Sequence, residues 1–133
     1  MSRVFFDSNV LVYTVTLDDH RRGIAQRLVA KGGVVSVQCL NEFVSVATRK
    51  LKMTWQQAIE ARDELLTLFG PPLPLTIALH HQAVRLAERY KLSLYDALIA
   101  ATALETGCDT LYSEDMHAGL VIDGRLTVVN PFA

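Results

Sequence analysis

The chain has 133 residues and a formal net charge of −1; half of its residues are apolar and a fifth are charged. That size and balance predict one globular domain spanning residues 1–133 and exclude a disordered chain. Near-neutral charge excludes holding nucleic acid by bulk electrostatics, so any contact with RNA or DNA has to run through local basic patches or a bound cation.

Val4, Phe5 and Phe6 open the chain as a short β-prone run of the kind buried in a parallel sheet, and the run stops at Asp7. Ser8 and Asn9, both good helix caps, lead into an apolar turn from Val10 to Tyr13. A helix is expected from His20 to Lys31, closed by Gly32-Gly33, then a short strand at Val34-Val35 and a helix from Val37 to Lys50 capped by Ser36. Thr54 caps a further helix to Phe69, which Gly70-Pro71-Pro72 stops. Leu73 to Leu75 is expected to be extended, and Thr76 opens a helix to Tyr90. Ser93 starts the most apolar helix, Leu94 to Thr106, whose composition places it in the interior. Thr110 to Tyr112 predicts another buried strand, and two β-prone runs, Val121-Ile122 and Leu126 to Val129, flank an Asp123-Gly124 turn. Alternating strands and helices point to an α/β domain with a mainly parallel central sheet covered by helices on both faces.

Cys39 and Cys108 lie far apart with no metal-binding or redox spacing, which fits reduced, buried thiols of a cytoplasmic protein. The amino terminus does not read as a signal peptide, and no apolar run approaches the roughly 18 residues a membrane span needs.

Four carboxylates stand out by position: Asp7 and Asp115 at strand ends, Asp96 in the first turn of the apolar helix, and Glu42 within the third helix. Strand ends and the helix starts that follow them share the carboxyl edge of a parallel sheet, where ligands of open α/β folds bind. Carboxylates gathered there either hold protons or hold a hard cation, with magnesium or manganese the natural occupant of an all-oxygen set. Each residue also has a plainer reading. Asp7 would cap its helix, Ser93 and Asp96 fit a capping box, Glu42 would be a solvated helix residue, and Asp115 would close a turn beside Ser113.

The motifs Phe6-Asp7-Ser8-Asn9-Val10-Leu11, Asn41-Glu42-Phe43, Leu94-Tyr95-Asp96-Ala97-Leu98-Ile99-Ala100 and Tyr112-Ser113-Glu114-Asp115-Met116 together resemble the PIN domain, in particular the small VapC-like toxins of toxin–antitoxin pairs. The resemblance spans nearly the whole chain. It implies that Asp7, Glu42, Asp96 and Asp115 bind Mg2+ or Mn2+ and cleave RNA, with Ser113 at the family's small hydroxyl position and Asn9 in support. It also implies a homodimer and a cognate antitoxin whose tail blocks the acidic pocket. Many members carry a further aspartate two residues beyond the Asp115 position; this chain has His117 there, which puts the number of metal ions in question. The chemistry implied is hydrolysis of the phosphodiester by metal-activated water. Arg21, Arg22, Arg49, Lys50 and Lys52 would guide the RNA backbone, and Trp55 belongs either to a partner contact or to the core.

Two rivals remain. A phosphoacceptor domain also ends a strand in aspartate, but no lysine follows Lys91, and Asn9 stands where a haloacid-type phosphatase needs a second aspartate. A PIN-like fold that binds RNA or protein without catalysis is the other alternative.

Overall fold

The computed structural model describes residues 3–133. Its sheet is built from strands of only two to four residues: β1 (Val4–Phe6), β2 (Thr110–Tyr112), β3 (Val121–Ile122) and β4 (Leu126–Val129). The order is β1-β2-β4-β3, with β1, β2 and β4 parallel and β3 antiparallel at the edge, so the expected mainly parallel sheet is present. Asp123 and Gly124 both have positive φ, 52° and 66°, the backbone a tight hairpin turn needs, and they join β3 to β4 as expected.

Strands this short hold together through what they bury. Phe5, Leu111 and Val128 are paired in register across β1, β2 and β4 and are almost wholly enclosed. Each such side chain contributes about 1.5–3 kcal/mol by leaving water. On the other face Phe6 is enclosed, stacking on Tyr112 at 5.8 Å and meeting Phe69 at 5.6 Å, whereas Val4, Thr110, Tyr112, Thr127 and Val129 are half-buried. Helical cover is therefore complete on one face and partial on the other.

The expected strand at Val34-Val35 is a pair of isolated bridges instead. Val34 bonds to β1, donating to Val4 and accepting from Phe6, while Val35 and Val37 bond to Leu73, so the chain changes partner within two residues and no ladder forms. Gly33 lets it pass: a Cβ there would lie 2.4 Å from the Phe6 ring.

Among the described residues six helices surround the sheet: α1 (Ser8–Tyr13), α2 (Asp19–Val29), α3 (Val37–Arg49), α4 (Trp55–Leu66), α5 (Ile77–Tyr90) and α6 (Leu94–Glu105). Ser36, Thr54, Thr76 and Ser93 all accept from the backbone N–H three residues on, as their chemistry predicts. Thr54 and Gln57 close a full reciprocal capping box, which the sequence reading overlooked. Helix α4 ends three residues earlier than expected, and this frees Phe69 to turn back onto Phe6. Helix α1 begins earlier, at Ser8, and its N-cap is Asp7 itself. Helix α6 is buried along Ala97 and Ile99 to Leu104, packing against α5 and β4. Its alanines permit that close approach, and they carry Asp96 inward on the first turn. Among the described residues no helix is long and apolar enough to cross a membrane.

Candidate active site

The register of β1 on β2 creates the site. Phe6 pairs with Tyr112, and the ladder runs on: the Asp7 N–H donates to Tyr112 O at 3.0 Å and the Ser113 N–H to Val129 O at 3.0 Å. One residue beyond the paired strands, Asp7 and Ser113 therefore stand side by side at the carboxyl edge. The Ser113 hydroxyl donates to Asp7 Oδ2 at 2.8 Å, and the Ser8 N–H donates to Asp7 Oδ1 at 2.7 Å. Asp7 is 4% exposed, and burial is the main force pushing its carboxyl up to about 6, with the Glu42 and Asp96 charges adding to it and the two hydrogen bonds opposing it.

The other acids connect to this pair through neutral side chains. The Ser8 hydroxyl donates to Glu42 Oε2 at 2.8 Å, bridging α1 to α3. Gln38, one turn before Glu42, donates its amide to Glu42 Oε1 at 2.8 Å and to the carbonyl of Tyr95 at 3.4 Å, tying Glu42 to the start of α6. Asn9 donates to Ser113 Oγ at 3.3 Å and to Asp115 Oδ2 at 3.1 Å. Asp96 is half-buried with its carboxyl raised, first by burial and then by the charges of Asp115 and Glu42. The backbone N–H of Asp96 donates to Ser93 Oγ at 3.1 Å, so this residue starts its helix and also faces the other acids. Asp7, Glu42 and Asp96 thus lie within electrostatic reach of one another, and Asp115 joins them through Asp96. The plain reading of Asp7 as a cap holds alongside the clustered one, whereas at Asp96 only half of the capping box is present: its N–H donates to Ser93, and among the described residues no bond returns from the Ser93 N–H to the Asp96 carboxylate.

No Lys or Arg pairs with any of the four among the described residues; the ion pairs lie elsewhere. Nor do three His, Cys, Asp or Glu side chains close into a metal cage among the described residues. Two observations bear on whether a hard cation fits here: the side-chain donors of the four acids are all oxygen, and Gln38 Oε1 is buried beside Glu42 with no hydrogen-bond partner.

Several expected contacts take a different form. Arg21 bonds to Glu114 and Asp18, and Arg22 to Asp19 and the Thr16 carbonyl. Arg49, Lys50 and Lys52 are exposed. Trp55 is 67% exposed and is not core; it lines a groove of about 400 Å³ with Asn41, Thr48, Arg49 and Arg62. His117 is exposed on its turn. Both cysteines are unpaired and buried, and burial pushes the Cys39 thiol up to about 12. Sequence reasoning missed Ser8 and Gln38 as links between the acids. The Gln38–Glu42 spacing of four, which puts both on one helix face, was the available signal for the second.

The fold has counterparts. A toxin–antitoxin complex from Klebsiella pneumoniae contains a chain that matches at TM-score 0.72 with 23% identity, covering 96% of this chain and 97% of that one. VapC20 of Mycobacterium tuberculosis, described as a sarcin–ricin loop cleaving toxin, matches at TM-score 0.70 with 24% identity over 84% of this chain and 89% of that one. No curated protein sequence gives a match. The family model of the PIN domain aligns to residues 4–118, which hold all four carboxylates, and on that match the chain belongs to the PIN domain family.

Proposed function

We propose that this protein is a divalent-metal-dependent endoribonuclease, the toxin of a toxin–antitoxin pair, with Asp7, Glu42, Asp96 and Asp115 as its metal-holding residues. The observation that carries the reading is a cluster of four carboxylates, one deeply buried, tied together by neutral donors and without a cationic partner among the described residues. The toxin assignment is supported by the descriptions of the two structural neighbours. Mg2+ or Mn2+ is the expected ion, and when bound it would polarise the scissile phosphate and lower the pKa of water.

The chain's own residues do the rest. Ser8 and Ser113 each hold one oxygen of Asp7, Ser8 and Gln38 one each of Glu42, and Asn9 one oxygen of Asp115, which limits the rotamer freedom these acids would lose on binding an ion. Burial raises the Asp7 carboxyl to about 6, and a bound cation would favour its charged form. Arg49, Lys50 and Lys52 supply exposed positive charge near the end of α3 for an RNA backbone. An RNA substrate, a cognate antitoxin, a homodimer and a cytoplasmic location complete the proposal.

The test is cleavage of total RNA by antitoxin-free protein with Mg2+, Mn2+ or EDTA, beside Asp7→Asn and Asp96→Asn. Discrete fragments that require the ion and vanish in both variants are the expected result. Cleavage that survives EDTA or both substitutions would overturn it. Metal-saturated, folded protein that cleaves nothing would favour a binding module instead.

A further inference from the structure

We propose that Glu114 is a positioning residue, held by Tyr13 and Arg21 so that the turn carrying Asp115 presents that carboxylate to the acid cluster. The inference rests on the metal-dependent reading above and assigns a task to a fifth acid that sits between Ser113 and Asp115 yet does not join the cluster.

Both oxygens of Glu114 are taken. The Tyr13 hydroxyl donates to Oε1 and the Arg21 Nε–H donates to Oε2 at 2.7 Å. Its charge is matched within the chain, and its side chain is only 19% exposed. The holders are themselves held. Arg21 also donates to Asp18 at 3.0 Å, and its guanidinium lies 5.4 Å from the Tyr13 ring and 6.0 Å from the Phe132 ring. Tyr13 and Phe132 meet edge-on at 4.9 Å. The clamp thus joins α1, α2 and the last residues of the chain to one side chain of the turn.

The same turn is gripped at a second point from the same helix. Asn9 and Tyr13 are four residues apart on α1 and so share a face. Asn9 Oδ1 accepts from the Glu114 N–H at 3.3 Å while its amide donates to Asp115 Oδ2 at 3.1 Å. Asp115 is exposed, and in the turn itself only its backbone is tied, to Ser113 Oγ at 3.3 Å. Without the Glu114 anchor the turn would rest on Asn9, Ser113 and the buried Met116 side chain, and Asp115, one residue beyond the lost anchor, would sample positions away from Asp96.

Partners one step removed from a metal ligand commonly change metal affinity by about 10- to 100-fold when removed. The experiment is Mn2+ titration of the RNA-free full chain, by calorimetry or electron paramagnetic resonance, for wild type, Glu114→Ala, Glu114→Gln, Asp115→Asn and the Glu114→Ala/Asp115→Asn double variant. Glu114→Ala is expected to weaken Mn2+ binding about tenfold. Glu114→Gln, which keeps one acceptor oxygen, should fall between it and wild type, and the alanine should do little more in the Asp115→Asn background. A lower melting temperature with unchanged Mn2+ affinity would show a merely structural role and overturn the inference alone. A tenfold loss that persists in the Asp115→Asn background would also overturn it, since the effect would not act through Asp115. Failure of the wild type to bind Mn2+ would overturn both this inference and the proposed function.

Discussion

Two aspartates at turns of this protein have opposite environments. Asp123, in the β3–β4 hairpin, takes the Arg85 guanidinium at 2.6 Å and the Tyr90 hydroxyl at 3.2 Å, and its carboxyl is lowered, first by the Arg85 hydrogen bond. Asp7, at the end of β1, has among the described residues only neutral donors and other carboxylates around it, and its carboxyl is raised to about 6. The first is an acid balanced within the fold, tying α5 to the hairpin. The second is an acid the chain buries and leaves unbalanced. An unbalanced buried charge costs stability, and a site that is completed by a cation from outside gives that cost a use.

The largest way to break this contrast is to remove the Asp7 charge. Asp7→Asn is expected to reduce metal-dependent RNA cleavage by at least about 100-fold, read in single-turnover assays, because it removes the most buried of the proposed ligands. Cleavage within a few-fold of wild type would show that the unbalanced charge has no catalytic use.

Stability should move the other way. The Asp7 carboxyl is raised in the folded state from 3.8 to about 6, so the folded protein binds the extra proton between those values. Stability linked to this group is full below about pH 3.8 and is lost as pH rises through 6, a difference of about 3 kcal/mol at most. In metal-free protein, Asp7→Asn should therefore show little stabilisation near pH 4 and a gain of about 1–3 kcal/mol at pH 8 in chemical denaturation. Saturating Mg2+ should stabilise wild type at pH 8 and leave the variant unmoved.

Ser113→Ala sharpens the contrast from the donor side. It removes the hydroxyl that donates to Asp7 and accepts from the Asp115 and Met116 N–H groups and from Asn9. The expected cost is about 1–3 kcal/mol, with the pH dependence of stability shifted upward as Asp7 loses a stabilising bond. An unchanged profile would show that the hydroxyl does not act on Asp7.

The smallest effect belongs to Asp123→Asn, with the opposite sign in pH. Its carboxyl is lowered, so its contribution is present above the ordinary aspartate range and is lost as pH falls through the folded value. The pair is partly exposed, and a loss below about 1 kcal/mol at neutral pH is expected, fading in acid and in high salt. A gain at pH 8, matching Asp7→Asn in sign, would erase the distinction between the two environments.

Much of the fold was legible because local chemistry and tertiary structure agree. Ser36, Thr54, Thr76 and Ser93 cap the helices they precede, since a free backbone N–H needs an acceptor wherever the helix later packs. The apolar content of α6 correctly assigned it to the interior. Val34-Val35 misled because β propensity is local, whereas a ladder needs a partner alongside both residues, and here the partner changes between them. Trp55 was undecidable for a related reason: one aromatic at a helix start does not show which face the neighbouring helix covers.

The sequence by itself determined most of the element types, Val34-Val35 excepted, and the caps at Ser36, Thr54, Thr76 and Ser93, and it singled out four carboxylates by position, because strand ends, helix starts and buried runs are written in neighbouring residues. Only the tertiary structure decided that Asp7 and Ser113 share a register position, that Ser8 and Gln38 link Glu42 to the rest, and that Glu114 faces Arg21 rather than the acids. Those contacts join residues 34 to 106 positions apart. The physical reason is that strand order and side-chain direction depend on all the packing at once, so no local window of residues contains them.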